Sequence, residues 1–167
     1  MKKGFIKGPP DQYGESKIVN LDQVTNIAFE ESIDRFENPK FKIIYNFAYP
    51  ISLKNNIDKQ IPDYSYHVYS NKEEYQEQVE KLNLQLDNKG WYAPIINNKV
   101  QRIVNLDYVS FISTDTYKNR IITNLSCSVS FYNDYHRKTS DFIFFDFESL
   151  DRLESEILYL EDLLGVE

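Results

Sequence analysis

Five consecutive residues, Ile18-Val19-Asn20-Leu21-Asp22, recur 85 positions later as Ile103-Val104-Asn105-Leu106-Asp107. A repeated run constrains topology more than local propensity does, because both copies must satisfy the same backbone requirements. Upstream, Lys3-Gly4-Phe5-Ile6 answers to Lys89-Gly90-Trp91-Tyr92, so each copy opens with a Lys-Gly-aromatic run. Beyond Ala28 the spacing becomes 78, where Lys42-Ile43-Ile44-Tyr45-Asn46-Phe47 answers to Arg120-Ile121-Ile122-Thr123-Asn124-Leu125. The same spacing pairs Tyr64 with Phe142, Tyr66 with Phe144, Tyr69 with Phe147, Tyr75 with Leu153, Val79 with Ile157, Leu82 with Leu160 and Leu86 with Leu164. The seven-residue difference falls between Ala28 and Lys42, a polar stretch ending in Asn38-Pro39. It reads as a lengthened hairpin loop, where insertions are tolerated.

Within each copy the early segments are short, β-branched and aromatic, which predicts antiparallel strands. In the first copy they lie near Lys17 to Val24, Thr25 to Glu30, Phe41 to Leu53 and Tyr64 to Tyr69. In the second they lie near Arg102 to Val109, Phe111 to Asp115, Arg120 to Tyr132 and Asp141 to Phe147. The first two of each set read equally as one bent strand, and the Lys-Gly-aromatic run as a short edge strand. An amphipathic helix follows each set. Ser70 to Glu73 has the spacing of a capping box, and Tyr75, Val79, Leu82 and Leu86 form one apolar stripe. Ser149 and Gly165 bracket the second helix, whose stripe is Leu150, Leu153, Ile157, Leu160 and Leu164.

The expected fold is therefore α+β, a tandem duplication of a unit of about four antiparallel strands plus one helix, divided at residues 1–87 and 88–167. A unit of this size has a marginal core alone, so the copies are expected to join as a pseudo-twofold pair. Matching apolar residues should then have matching surroundings, with Ile18 and Ile103 as a test. The oligomeric expectation is a monomer with this internal pseudo-dimer, or a homodimer.

A net charge of -7 and a pI near 4.9 oppose non-specific attraction to nucleic acid or anionic lipid, which disfavours nucleic-acid partners without eliminating a local basic patch. The chain has one cysteine, Cys127, which cannot form an internal disulfide. The N-terminal run lacks the apolar stretch of a signal peptide, and no window offers the roughly 18 apolar residues of a membrane span. The expectation is a cytoplasmic, non-membrane protein.

Chemistry-bearing motifs are sparse. Asp22 and Asp107 would make a symmetric carboxylate pair, but Asn and Asp at strand ends more often bond nearby amides and shape the turn. Cys127 with His136 and Asp134 is a conceivable nucleophilic set carried by isolated residues alone. His67 lies in a strand among tyrosines, and no Gly-rich phosphate loop or metal-ligand spacing occurs. The sequence thus indicates no enzyme, metal or cofactor.

Tyrosine is unusually frequent, at 13 residues. Large amphipathic rings on a sheet serve recognition well, and the competing role is simple core filling. The candidate interaction surface comprises Tyr45, Tyr49, Tyr64, Tyr66, Tyr69, Glu73, Glu77, Tyr108 and Tyr135. The acidic helix faces, including Glu156, would let the chain present carboxylates to a basic partner in place of phosphates. The Ile-Val-Asn-Leu-Asp-x-Val segment, the strands after it and the terminal helix resemble in pattern small bacterial or phage domains of pleckstrin-homology-like outline, without a functional residue to carry over. The resulting expectation is a non-enzymatic binding protein of bacterial or phage origin, an inhibitor, immunity or accessory factor acting on another protein. The first alternative is a single-stranded nucleic-acid binder stacking bases on aromatic strands near Lys99, Arg102, Lys118, Arg120, Arg137 and Lys138, and the second is a metal-dependent or hydrolytic enzyme built on Asp22 and Asp107.

Overall fold

The computed structural model describes residues 4–10, 13–47, 64–86, 90–133 and 136–166, with the side chains of 127–141 outside that description. β1 (Phe5–Pro10) and β2 (Ser16–Asn20) form an antiparallel ribbon. β3 (Val24–Ile33), β4 (Pro39–Phe47) and β5 (Tyr64–Tyr69) form an antiparallel meander, and α1 (Lys72–Leu86) follows. The second half runs β6 (Trp91–Tyr92), a small hairpin of β7 (Ile95–Ile96) and β8 (Lys99–Val100), and β9 (Arg102–Asn105). The meander of β10 (Val109–Asp115), β11 (Arg120–Asn133) and β12 (His136–Asp146) then leads to α2 (Leu150–Leu164). The class is α+β with antiparallel sheets. No helix among the described residues is long and apolar enough to cross a membrane.

The Asn-Leu-Asp runs make the same local structure twice. Each is a 3-10 turn, Leu21–Gln23 and Leu106–Tyr108, separating two strands that the sequence also allowed as one bent strand. Asn20 Oδ1 accepts from the Asp22 amide at 3.0 Å, and Asn105 Oδ1 accepts from the Asp107 amide at 3.2 Å. The Leu21 amide donates to the Gly4 carbonyl at 2.9 Å, and the Leu106 amide donates to the Gly90 carbonyl at 2.8 Å. Gly4 and Gly90 hold φ of 90° and 75°, which favours glycine and explains why the Lys-Gly-aromatic run opens each half.

Strand registers coincide as well. Phe5 lies opposite Asn20 and Trp91 opposite Asn105; Ile44 lies opposite Tyr66 and Ile122 opposite Phe144. The β3–β4 ladder slips between Val24 and Asn26, and the β10–β11 ladder slips between Val109 and Phe111, the corresponding place. The extra residues of the first half do not form the expected long loop. They extend the hairpin, pairing Glu31 with Phe41, Ser32 with Lys40 and Ile33 with Pro39. Lys42 sits 3.9 Å from Glu30 and Lys40 sits 3.8 Å from Asp34, so opposite charges face each other along the ladder.

The helix ends follow capping chemistry. Asn71, not Ser70, caps α1: its Oδ1 accepts from the Glu74 amide at 2.9 Å. Asn71 directly precedes the first helical residue, which leaves Ser70 one position too early for that bond. Ser149 caps α2, accepting from the Arg152 amide at 3.2 Å, and Gly165 ends it in the left-handed conformation.

Two cores result. The first packs Ile27, Ile43, Tyr45 and Tyr69 of its meander against Tyr75, Leu82 and Leu86 of α1 and against Ile6 and Val19 of its ribbon. The second packs Ile121, Ile143, Phe145 and Phe147 against Leu153 and Leu160. Leu150 and Leu164, expected in the second stripe, are exposed at the helix ends.

The halves meet through unlike strands. β3 pairs with β9, Asn26 opposite Val104, Ile27 opposite Ile103 and Ala28 opposite Arg102, giving a five-stranded sheet in the order β5-β4-β3-β9-β6. Successive residues of a strand point to opposite faces. Ile103 and Trp91 therefore enter the first core while Val104 and Tyr92 enter the second. A pseudo-twofold pair requires β2 to pair with β10 in the same way, and no such pairing occurs among the described residues. The expected likeness of surroundings fails at Ile18 and Ile103 for that reason: β9 lies between β3 and β6, and β2 pairs with β1 alone among the described residues.

Candidate functional site

Strand alternation sorts the candidate tyrosines. On β5, His67 and Tyr69 face inward and are buried, while Tyr66 and Val68 face outward and Tyr64 is half-buried. The Tyr64 and Tyr66 rings stack at 6.2 Å with 21° between their planes, and the Lys17 ammonium lies 4.5 Å above the Tyr66 ring. β12 repeats the arrangement. Phe145 and Phe147 are buried, Phe142 and Phe144 are exposed, and these two rings lie 6.4 Å apart. The Arg120 guanidinium sits 3.9 Å over the Phe144 ring, held by Asp146, whose Oδ2 accepts from Nη2 at 2.8 Å. Each meander thus ends in an outward aromatic ladder with a cation over one of its rings. Such a surface offers apolar area, flat stacking faces and a charge to a partner.

Tyr45 and Tyr69 belong to the core and are not available as surface. Tyr45 Oη lies 3.1 Å from His67 Nδ1, both buried. Burial pushes the Tyr45 phenol well above its usual range and pulls His67 down to about 4, an effect that the Lys17 main chain partly opposes. Burial, with Glu74 nearby, pushes Tyr69 up to about 12. Tyr108 is a brace between halves, its hydroxyl donating to the Asp22 carbonyl at 2.9 Å. Glu73 and Glu77 are exposed on α1, and Glu77 pairs with Lys81 at 2.8 Å, one helical turn on. Glu156, expected on an acidic surface, is buried and paired with Arg152 at 3.0 Å. Tyr49, Asp134 and Tyr135 lie outside the described residues, as do the side chains of Cys127 and His136.

Phe142 and Phe144 were legible in the sequence only as apolar mates of Tyr64 and Tyr66. Their exposure follows from parity: two residues apart, they share the face opposite Phe145 and Phe147. Among the described residues no group of three or more His, Cys, Asp or Glu is placed to hold a metal ion. An open groove of about 570 Å³ lies between the β3–β4 hairpin and the start of α1, with Glu31 and Lys72 as its charged lining residues. No protein-family model matches the chain, and no curated protein or solved structure is significantly similar to it.

Proposed function

We propose that the chain is a tandem duplication and acts without catalysis, by binding another protein through its aromatic ladders in the manner of an inhibitor, immunity or accessory factor. The duplication is supported by the shared turns, bulges and registers of the two halves. The binding role is carried by one observation. At corresponding places on β5 and β12, large rings stay on the outer face although each strand already supplies aromatics to a core. Aromatic rings and arginine dominate the energetics of protein interfaces because they bury large area at small entropic cost. Two ladders on one chain also permit bivalent capture, which raises affinity without new chemistry.

The test is affinity capture from the source cells with the wild-type chain and with a Tyr66→Ala/Phe144→Ala variant. Both substitutions are at exposed positions and should leave thermal unfolding unchanged. A partner held by the wild type and lost by the variant supports the reading; a partner held equally by both refutes it.

Lys17 over Tyr66 and Arg120 over Phe144 support a second reading, stacking of single-stranded nucleic acid, since a cation beside a ring suits a base and its phosphate. That reading requires affinity for a labelled oligonucleotide that falls steeply with salt. Absence of binding at low salt removes it.

A further inference from the structure

β2 and β10 are the counterparts of the two strands that form the internal junction, and among the described residues they do not pair with each other. β9 contributes one side of the β3–β9 pairing, and its counterpart 85 residues earlier, β2, is an edge strand paired only with β1 among the described residues. β3 contributes the other side, and its counterpart β10 is an edge strand paired only with β11 among the described residues. The side chains report the same vacancy. Ile103 is 1% exposed and Ile18 65%; Trp91 is 5% exposed and Phe5 67%. On the other side Asn26 is 0% exposed and Phe111 60%, while Val24 and Ile27 are buried where Val109 and Ile112 are half-buried. Each of these five residues thus has a counterpart that is more open to solvent, whereas Val104 and its counterpart Val19 are both buried, each in the core of its own half.

Backbone parity matches as well. The Phe29 amide donates to the Gln101 carbonyl at 3.1 Å, so Ile103, two residues on, also turns its main-chain groups toward β3. By the shared register Ile18 turns its own toward the edge of β2 away from β1, and Ile112 turns its own toward the edge of β10 away from β11, where no strand pairs among the described residues. Neither β2 nor β10 carries a proline within its span to block pairing.

We infer that a second copy of this chain occupies these edges, with β10 of one molecule pairing antiparallel to β2 of the next. The register follows from the internal junction: Phe111 opposite Val19, Ile112 opposite Ile18 and Ser113 opposite Lys17. Ile18 and Phe5 of one molecule then cover the open side of the second core of its neighbour, as Ile103 and Trp91 cover the first core within a chain. The contact is head-to-tail, so it propagates as an open chain of molecules or closes as a ring. This assignment is independent of the aromatic ladders.

The test uses full-length protein and the variants Ile18→Lys and Phe111→Lys, both at positions exposed in the single chain and buried in the assembly. Sedimentation velocity of the wild type over a hundredfold concentration range should show mass rising above 19.8 kDa. Each variant alone should fold, by circular dichroism and thermal unfolding, and remain a single chain. An equimolar mixture should form a two-chain species and nothing larger, because each variant retains the edge the other lacks. A wild type that stays a single chain throughout, a variant that assembles by itself, or a mixture that fails to pair would each overturn the inference.

Discussion

Ile18 and Ile103 occupy corresponding positions of two matching strands, yet one is an exposed edge residue and the other lies in the core opposite Ile27. The difference comes from neighbours and not from backbone: among the described residues one strand is flanked on both sides and the other on one. Side-chain worth should split accordingly. Ile103→Ala should destabilise by about 2–5 kcal/mol, the range for emptying a packed site. Ile18→Ala, measured in protein dilute enough to be a single chain, should stay within about 0.5 kcal/mol of wild type. Urea unfolding of both variants checks this, and equal costs would contradict the asymmetry.

The His67 imidazole, buried beside Tyr45, makes stability depend on pH. Its folded pKa of about 4 lies below the usual 6.5, so between these values the unfolded chain binds the proton more readily. The contribution is complete above pH 6.5 and is lost as pH falls toward 4, with an upper size of about 3 kcal/mol. The corresponding residue of the second half is Phe145. His67→Phe should therefore flatten the stability profile across that window, read by chemical unfolding at a series of pH values.

A β-carbon on Gly8 would lie 2.3 Å from His67 Cδ2 and 2.4 Å from Cγ. The ring is enclosed and held by Tyr45, so it has little room to retreat. Gly8→Ala should cost roughly 1–3 kcal/mol through overpacking. In a His67→Ala background most of that cost should vanish, which a double-mutant cycle of unfolding free energies measures directly.

Asn20 and Asn105 cap equivalent turns with unequal duties. Asn105 also donates through Nδ2 to the Val24 carbonyl at 2.9 Å, across the junction and fully buried. Asn20→Ala should lose a cap worth about 1 kcal/mol. Asn105→Ala should lose that and strand a buried carbonyl, adding about 1–3 kcal/mol. Thermal unfolding of the two variants side by side provides the comparison.

The candidate surface was only partly readable in advance. Tyr66 sits where strand alternation allows a recognition ring, whereas Tyr45 and Tyr69, of the same residue type, fill the core. Residue type could not separate them, because alternation defines two faces without saying which one a helix will cover. Phe142 and Phe144 were hidden for the converse reason: phenylalanine reads as core until the strand's parity is fixed by Phe145 and Phe147.

What the linear chain determined by itself was local and periodic. The recurring Asn-Leu-Asp turns, the helix stripes and the strand-like segments all depend on residues within a few positions of one another, so they could be read from spacing. The tertiary structure decided which edges and faces are covered. Pairing β3 with β9 buried Ile103 and left Ile18 bare, although the two sit in nearly identical sequence. That choice rests on contacts between residues about 76 positions apart, which no local pattern encodes.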